Sequence, residues 1–470
     1  MKHLKELKIK EYLWFFEEQV LSIAVPNGKE GSGLTIITWQ NNTGKTAIFE
    51  SFQKFISFTD KRFDETERHW DKKPQITLIF DDTSATSITN KDNWSQIEAT
   101  GSEVSGFQII QSRRHWGSEF GWNAAMGNFL NDTKNTWMRQ SNGVALASIL
   151  STINLSQPET KKDINNILKR LIPNFSDWTV STRWGSDYIK YETSDGVFHS
   201  TSLLWDGVMS AFRIAVHLTN KWHTEDVLLF DEPELSLHPW AQKELSFILS
   251  EYSKDRQIIL ATHSPYFINW KDFINGAVFA HLTKNDNVRC LITHLDHKKN
   301  YAKFIGTNYQ EWQKPQILDT VAKELFFSNS VLLVEWQNDV GLIRNHLDSN
   351  NVLVSFDIFW YWVWSYSNMS LFLEMAKDLK IMKVVALYDK GIEEEKSFIK
   401  DKATYSWSEF LLIQSWKEDI RDKYTSCSGV AKCKPQLVKE WYFDEHWVLK
   451  SDQEEDFNKL MQEILNHFWS

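Results

Sequence analysis

The chain has 470 residues, 42% hydrophobic and 24% charged. That balance excludes a disordered chain and gives room for two or three domains. Its 52 Lys and Arg stand against 62 Asp and Glu, a net charge of −10. An overall basic nucleic-acid coat protein is therefore excluded, and any DNA contact has to use a local patch. No apolar run reaches membrane-spanning length, and Met1–Glu6 is charged without a signal-peptide core. Cys290, Cys427 and Cys433 show neither zinc spacing nor a disulfide framework. A cytoplasmic location with no membrane partner is expected. One count stands out. Glycine numbers 18 and tryptophan 23, where usual shares are about 7% and roughly 1%. The sum of the two is ordinary, as if glycine were written as tryptophan at many positions.

In chain order, the first motif follows the β-branched run Leu34–Thr38, a buried-strand pattern. Trp39-Gln40-Asn41-Asn42-Thr43-Gly44-Lys45-Thr46 comes next, and then a helical spacing of Ala47, Ile48, Phe52 and Phe55. Strand, loop and helix with Gly-Lys-Thr at the helix start is the context of a phosphate-binding loop. Backbone N–H groups and the helix N-terminus suit phosphate oxygens. Lys45 suits the β- and γ-phosphates, and Thr46 suits Mg²⁺. The strand-like run 107–110 leads to Arg113 and Arg114, a pair able to contact phosphate or DNA but more usual as surface charge.

A second apolar run, Val227–Phe230, leads directly into Asp231-Glu232-Pro233-Glu234. A strand ending in paired carboxylates suits Asp231 to hold a metal and Glu232 to orient or deprotonate a water. After Leu237-His238-Pro239, a third run, Gln257–Ala261, ends in Thr262-His263-Ser264-Pro265. His263 at that strand end is placed to sense the γ-phosphate. Together these motifs resemble the ABC-type ATPase heads of the SMC and RecF group. In that group two heads sandwich ATP, and a signature loop of one caps the γ-phosphate of the other. The resemblance places that loop at Ser202–Gly207, with Asp206 and Gly207 among the nucleotide-binding residues, just before an apolar helix over Val208–Leu218.

Further on, the apolar run Ser330–Val334 ends in Glu335, with Asp339 four residues later, and Lys383–Tyr388 ends in Asp389. Parallel strands that each end in a carboxylate converge at one sheet edge. Such a cluster suits Mg²⁺ or Mn²⁺ and two-metal phosphodiester cleavage. This half resembles a Toprim domain, and an ABC-type head followed by Toprim is the order of the OLD-family nucleases. The resemblance implies metal ligation by Glu335, Asp339 and Asp389, with Glu335 and Asp389 catalytic. Gly391 stands where the family has a second aspartate; the acidic run Glu393–Glu395 and the segment Asp419–Lys423 are weak substitutes.

The expected fold class is α/β: an ABC-type P-loop ATPase head with a helical insertion, followed by a Toprim α/β domain with a parallel sheet. The head is read over 1–119 and 176–295, and the insertion over 120–175, where Ile149, Leu150 and Ile153, then Ile164, Ile167, Leu168 and Leu171, keep helical spacing. A connector follows over 296–325 and the Toprim-like domain over 326–470. The expected function is an ATP-regulated, metal-dependent DNA endonuclease in defence against foreign DNA. It would use ATP, Mg²⁺ and, in the second domain, Mn²⁺. Its expected partners are DNA, a second or further copies of itself, and a second defence protein. The alternative is an ATP-gated DNA sensor or clamp with an inactive second domain. A transporter subunit is disfavoured by the attached Toprim-like half.

Six tryptophans, at 39, 205, 336, 360, 362 and 364, fall where the resembled families have glycine. Trp39, Trp205 and Trp336 are therefore expected on turns, in clefts or exposed, while Trp178 before a Thr-Val-Ser run reads as genuine. A genetic code in which UGA means glycine, translated as tryptophan, produces this pattern. Sequencing the gene checks it: UGA is expected at those six codons, and UGG there would refute the recoding.

Overall fold

The computed structural model describes residues 2–39, 43–56, 63, 72–90, 97–101, 106–110, 146–183, 186–200, 206–219, 226–235, 237–284, 289–303, 305, 323–335, 337–359, 366–390, 392–405, 409–418 and 451–469. They form two compact units, 1–297 and 298–470. The chain is α/β, with parallel strands in both units.

The first unit is organised by runs that are apolar on both faces. Strand β3 (Leu34–Trp39) is buried at all six positions, as is β11 (Val227–Asp231) at all five and β12 (Ile258–Ala261) at all four. Strands with no polar face need cover on both sides and so enter a parallel sheet. That sheet has the order β14-β13-β3-β12-β11-β7, with β7 at Phe107–Ile110, β13 at Val278–Lys284 and β14 at Cys290–His294. Only β14 pairs antiparallel.

A second sheet is antiparallel, with the order β2-β1-β4-β5-β6. Its strands are β1 (Leu4–Lys10), β2 (Gln19–Ser22), β4 (Gln75–Phe80), β5 (Ala85–Asn90) and β6 (Ile97–Thr100). Alternate burial in β4 and β5 gives it one core face. Gln257, buried at the start of β12, ties the two sheets together. It accepts from the Leu4 N–H at 2.8 Å and donates to the carbonyls of Leu4 and Ala24 at 2.6 and 2.8 Å.

Helix α1 (Lys45–Ile56) follows β3 and buries Ala47, Ile48, Phe49, Phe52 and Phe55. Helices α2 (Leu146–Ser156) and α3 (Pro158–Leu171) occupy the described end of the segment read as an insertion. Proline opens α3 where a missing N–H costs nothing, and Ile164, Ile167, Leu168 and Leu171 form its buried stripe. A three-stranded sheet follows: β8 (Phe175–Arg183), β9 (Ser186–Thr193) and β10 (Phe198–Ser200). Helix α4 (Asp206–Thr219) packs Phe212 edge-on to Trp178 of β8, ring centroids 6.0 Å apart. Helix α5 (Pro239–Tyr252) and the short α6 (Trp270–Asn275) complete the unit.

The second unit has a parallel sheet of order β16-β15-β17-β18: β15 (Ser330–Val334), β16 (Asp357–Phe359), β17 (Lys383–Lys390) and β18 (Phe410–Glu418). Its helices are α7 (Gln337–Ser349), α8 (Tyr366–Asp378), α9 (Ile392–Thr404) and α10 (Ser451–Trp469). Phe457, Leu460, Met461, Ile464, Leu465 and Phe468 of α10 line one face and bury in the core, Phe468 stacking on Phe356 at 4.1 Å. Part of the stretch read as a connector belongs to this unit. Tyr301 is buried, and its hydroxyl donates to Asp378 at 2.7 Å.

Trp178 is 2% exposed and Trp240, at the second position of α5, is 45% exposed. Trp178→Ala should lower the unfolding free energy by about 3–5 kcal/mol, the cost of a large core cavity. Trp240→Ala should stay within about 0.5 kcal/mol. Urea unfolding of the two variants measures the contrast.

Candidate nucleotide and metal sites

Three neighbouring parallel strands of the first unit end at one edge. After β3 comes the turn Thr43-Gly44 and then Lys45. After β12 comes Thr262-His263, and β11 ends in Asp231 followed by Glu232. Gly44 has φ +81°, and a Cβ there would lie 3.1 Å from Cys290 Sγ. The left-handed backbone calls for glycine, the Cys290 sulfur leaves little room for a side chain, and the turn delivers Lys45 to the edge. Lys45 Nζ lies 2.7 Å from Asp231 Oδ1 and 2.7 Å from Glu232 Oε1. The carboxylates are 3% and 2% exposed. One lysine thus bridges two carboxylates held out of water, an arrangement costly to break.

Glu232 has φ +47°, a left-handed conformation rare for a residue with a side chain. Its N–H is held by the Ala261 carbonyl at 2.9 Å. Backbone strain of this kind, fixed by its surroundings, is a mark of functional loops. The His263 N–H donates to Glu234 Oε1 at 2.7 Å, tying the loop after β12 to the loop after β11. Burial, with the charge of Glu232 adding to it, pushes the Glu234 carboxyl up to about 7. On the far side, Ser264 Oγ donates to Gln242 of α5 at 2.7 Å. Glu234 was quoted from the sequence without a role; its place as the third acid of Asp-Glu-Pro-Glu was the available signal.

Of the other residues read as nucleotide-binding, Thr43 is buried and Thr46 is exposed in the first turn of α1. Asn41 and Asn42 lie outside the described residues. Asp206 and Gly207 open α4. Lys45 bridges Asp231 and Glu232, and Glu234 is joined to the His263 N–H. Arg113, Arg114, Trp205, Trp336, the tryptophans at 360, 362 and 364, Gly391 and Asp419–Lys423 also fall outside the described residues.

Trp39 departs from expectation. It is 5% exposed, belongs to the core of the first unit, and ends β3 in register with Leu282. Its φ is not among the positive ones, so the backbone makes no demand for glycine there. The burial has a local cause. The indole lies 3.8 Å from the His263 ring between centroids, and Lys45 Nζ sits 4.7 Å from the indole centroid, within cation–π range.

In the second unit β15 and β17 are neighbours in parallel register, Val334 opposite Leu387. Glu335 and Asp389 thus leave the same edge, and the Asp389 N–H donates to Glu335 Oε1 at 3.2 Å. Asp339 lies in the first turn of α7. All three carboxylates are buried, at 1%, 6% and 3% exposure for Glu335, Asp389 and Asp339. Among the described residues no group of three or more His, Cys, Asp or Glu converges closely enough to hold a metal ion. Glu395, from the acidic run, is exposed on α9. The strand end carrying Asp389 is braced by Asp401, which accepts from the Tyr388 and Ser370 hydroxyls at 2.7 Å each. Burial and Asp401 hold the Tyr388 hydroxyl protonated.

Comparison with known proteins adds a partial family assignment. Residues 147–269 match the family described as "AAA domain, putative AbiEii toxin, Type IV TA system". Over 109 residues the chain is 31% identical to an uncharacterized protein of Methanocaldococcus jannaschii, covering 23% of this chain and 12% of that protein. Over 145 residues it is 31% identical to the OLD nuclease of Thermus scotoductus, covering 28% of this chain and 24% of that protein. The chain thus spans only 12% and 24% of these relatives. The SMC head domain from Thermotoga maritima aligns over 63% of this chain and 99% of that one, at 15% identity and TM-score 0.39. The family match contains Asp231, Glu232, Glu234 and His263. The chain carries an AAA-type ATPase domain. No helix among the described residues is long and apolar enough to cross a membrane.

A proton on Glu234 favours the folded state, because its folded pKa of about 7 stands above the usual 4.5. That contribution is full below pH 4.5 and is lost as pH rises through about 7. Glu234→Gln keeps the acceptor for His263 and removes the titration. Relative to this variant, the parent should lose on the order of 2 kcal/mol between about pH 5 and pH 8. Denaturant unfolding of both proteins across that range checks it.

Proposed function

We propose that the first unit binds and hydrolyses ATP with Mg²⁺. The observation that carries this reading is Lys45, at the start of the helix after β3, held 2.7 Å from both Asp231 and Glu232. The donor set fits the group: a cation for phosphate oxygens, a hydroxyl at Thr46, and a buried acidic pair with charge to spare for a divalent cation. Thr46 and Asp231 hold the metal, which supplies charge neutralisation at the phosphates. Lys45 binds the terminal phosphates, with the backbone of the Thr43-Gly44 turn cradling them. Glu232 orients the attacking water and takes its proton. His263, fastened through its N–H to Glu234, reports the state of the terminal phosphate. Asp206 and Gly207, which open α4, cap the nucleotide bound by a second copy of the chain.

In the same proposal, Glu335, Asp339 and Asp389 of the second unit form a Toprim metal site that takes Mg²⁺ or Mn²⁺ and cleaves DNA under control of the ATPase. The head spans 1–119 and 176–295, with a dimerising insertion over 120–175; the Toprim domain spans 326–470, and the stretch 296–325 that leads to it joins the second unit from residue 298 on. The place of such an enzyme is defence against foreign DNA, in the cytoplasm and alongside a second defence protein. Support comes from the paired strand ends of Glu335 and Asp389 and from the partial likeness to an OLD nuclease. A second reading, an ATP-gated DNA sensor or clamp, is favoured by one observation. Among the described residues the second unit gathers no three-residue metal cluster.

Two measurements separate the readings in protein carrying glycine at the six tryptophan positions. Steady-state hydrolysis of ATP should fall by about a hundredfold or more in Lys45→Ala and in Glu232→Gln, with Glu232→Gln retaining bound ATP in a dimer. Unchanged hydrolysis in both removes the ATPase reading. Nicking of plasmid DNA with Mg²⁺ or Mn²⁺ should require Glu335 and Asp389. No cleavage over a range of metals and nucleotides selects the sensor.

A further inference from the structure

Two side chains tie down the loop after β12, one at His263 and one at the residue after it. The Glu234 carboxylate accepts the His263 N–H at 2.7 Å. Ser264 Oγ donates to Gln242 Oε1, also at 2.7 Å. The same carboxamide turns its N–H group the other way. Gln242 Nε2 donates to the Leu237 carbonyl at 2.9 Å and reaches the Glu234 carbonyl at 3.5 Å. One half-buried side chain near the start of α5 thus joins the loop after β11 to the loop after β12. The helix start that carries it is fixed as well. His238 Nδ1 accepts the Trp240 N–H at 3.3 Å, and the His238 carbonyl accepts the Gln242 N–H at 3.0 Å.

We propose that Gln242 is a positioning residue for ATP hydrolysis: by bracing Ser264 against the loop that carries Glu232 and Glu234, it sets His263 relative to Glu232. The proposal rests on the nucleotide reading of the first unit and adds to it a residue that stands in none of the sequence motifs. Three physical points support it. The two loops are joined where they leave the sheet, by the Glu232 N–H on the Ala261 carbonyl, and again at Glu234 and His263. The Gln242 tie is a third attachment, further out, and it removes a swing that attachments nearer the sheet leave open. The chemistry of the partners also calls for this residue type. Leu237 offers a carbonyl that only accepts, and the Ser264 hydroxyl is left to donate, so the side chain between them must donate at one end and accept at the other. An ionised glutamate has no donor and leucine has neither group. Finally, a displacement of about 1 Å in a reacting group costs on the order of a hundredfold in rate while leaving binding contacts in place. Gln242 acts on the rate through Ser264 and His263 and not by touching the phosphate.

The experiment uses the full-length chain carrying glycine at the six tryptophan positions. Hydrolysis is read in steady state and in single turnover, where slow residual rates are measurable. Binding of a non-hydrolysable ATP analogue with Mg²⁺ is read by equilibrium dialysis, and folding by thermal melting. Gln242→Leu should lower kcat about tenfold or more, while the Kd for the analogue stays within about twofold of the parent. Gln242→Glu keeps the acceptor for Ser264, loses the donor for Leu237, and should fall as far. Ser264→Ala removes the other end of the tie and serves alone if the Gln242 variants melt at the assay temperature. Lys243→Ala, at the next, exposed position of α5, should leave kcat unchanged. The deciding readout is the combination with His263→Ala. That variant should itself be slow, and adding Gln242→Leu should slow it no further, because a residue that acts through His263 has nothing left to act on. A brace that only stabilised the fold would still cost rate there. Three results overturn the assignment while the nucleotide reading stands: an unchanged kcat in folded Gln242→Leu and Ser264→Ala, an equal further loss in the His263→Ala background, or analogue binding that falls in step with kcat. If the starting protein hydrolyses no ATP, or Lys45→Ala hydrolyses it as fast, the nucleotide reading fails and takes the assignment of Gln242 with it.

Discussion

The first unit turns on one buried cluster in which a single ammonium faces two carboxylates. Removing Lys45 takes away the cation that two buried carboxylates share, and breaking a buried pair typically costs about 3–5 kcal/mol. The consequence is that β3, β12 and β11 must end level with one another. The ladder keeps them so: Ala261 is opposite Ile37 on one side and Asp231 on the other. The left-handed backbone of Glu232, the glycine turn before Lys45 and the Glu234 bond to the His263 N–H all serve that alignment. A metal ion or a phosphate entering the cluster would change its charge balance more than its shape.

The second unit uses a gentler device for the same end. Glu335 accepts from the backbone of Asp389, so two acids that would repel each other are spaced by an N–H group. Behind them, Asp401 gathers the hydroxyls of Tyr388 and Ser370 and fixes the strand end from below.

The apolar runs at 34–38, 227–230, 257–261, 330–334 and 383–388 were legible because strands buried on both faces carry no polar residue to confuse the pattern. The antiparallel sheet of β1, β2, β4, β5 and β6 was not read. In Ala85–Asn90 the outward positions are Ala85, Ser87 and Thr89 and the inward ones include Thr86 and Asn90, and a strand that polar resembles a loop when taken alone. The motif residues announced themselves by type, but their meeting did not. Lys45 and Glu232 are 187 positions apart, and nothing local records that they touch. Trp39 marks the limit of reasoning from residue type. Glycine was expected there for backbone freedom, yet the backbone is ordinary strand, and what makes the position special is the company its side chain keeps.

The sheet order also dictates when the nucleotide edge can exist. Strand β3 is flanked by β12 and β13, whose residues 258–261 and 278–284 are made long after it. At a synthesis rate of about 5–20 residues per second, β3 waits roughly 10–45 s for its first neighbour. Its partners in the antiparallel sheet's part of the chain face no such delay, since β1, β2, β4 and β5 all lie within the first 90 residues. The emerging protein therefore completes a scaffold early while β3, buried at every position in the finished sheet, stands unpaired, a state exposed to aggregation and to chaperones. A ribosome stalled before residue 258 leaves a chain with the lysine but no strand to align it, so a half-made protein cannot present a half-working site.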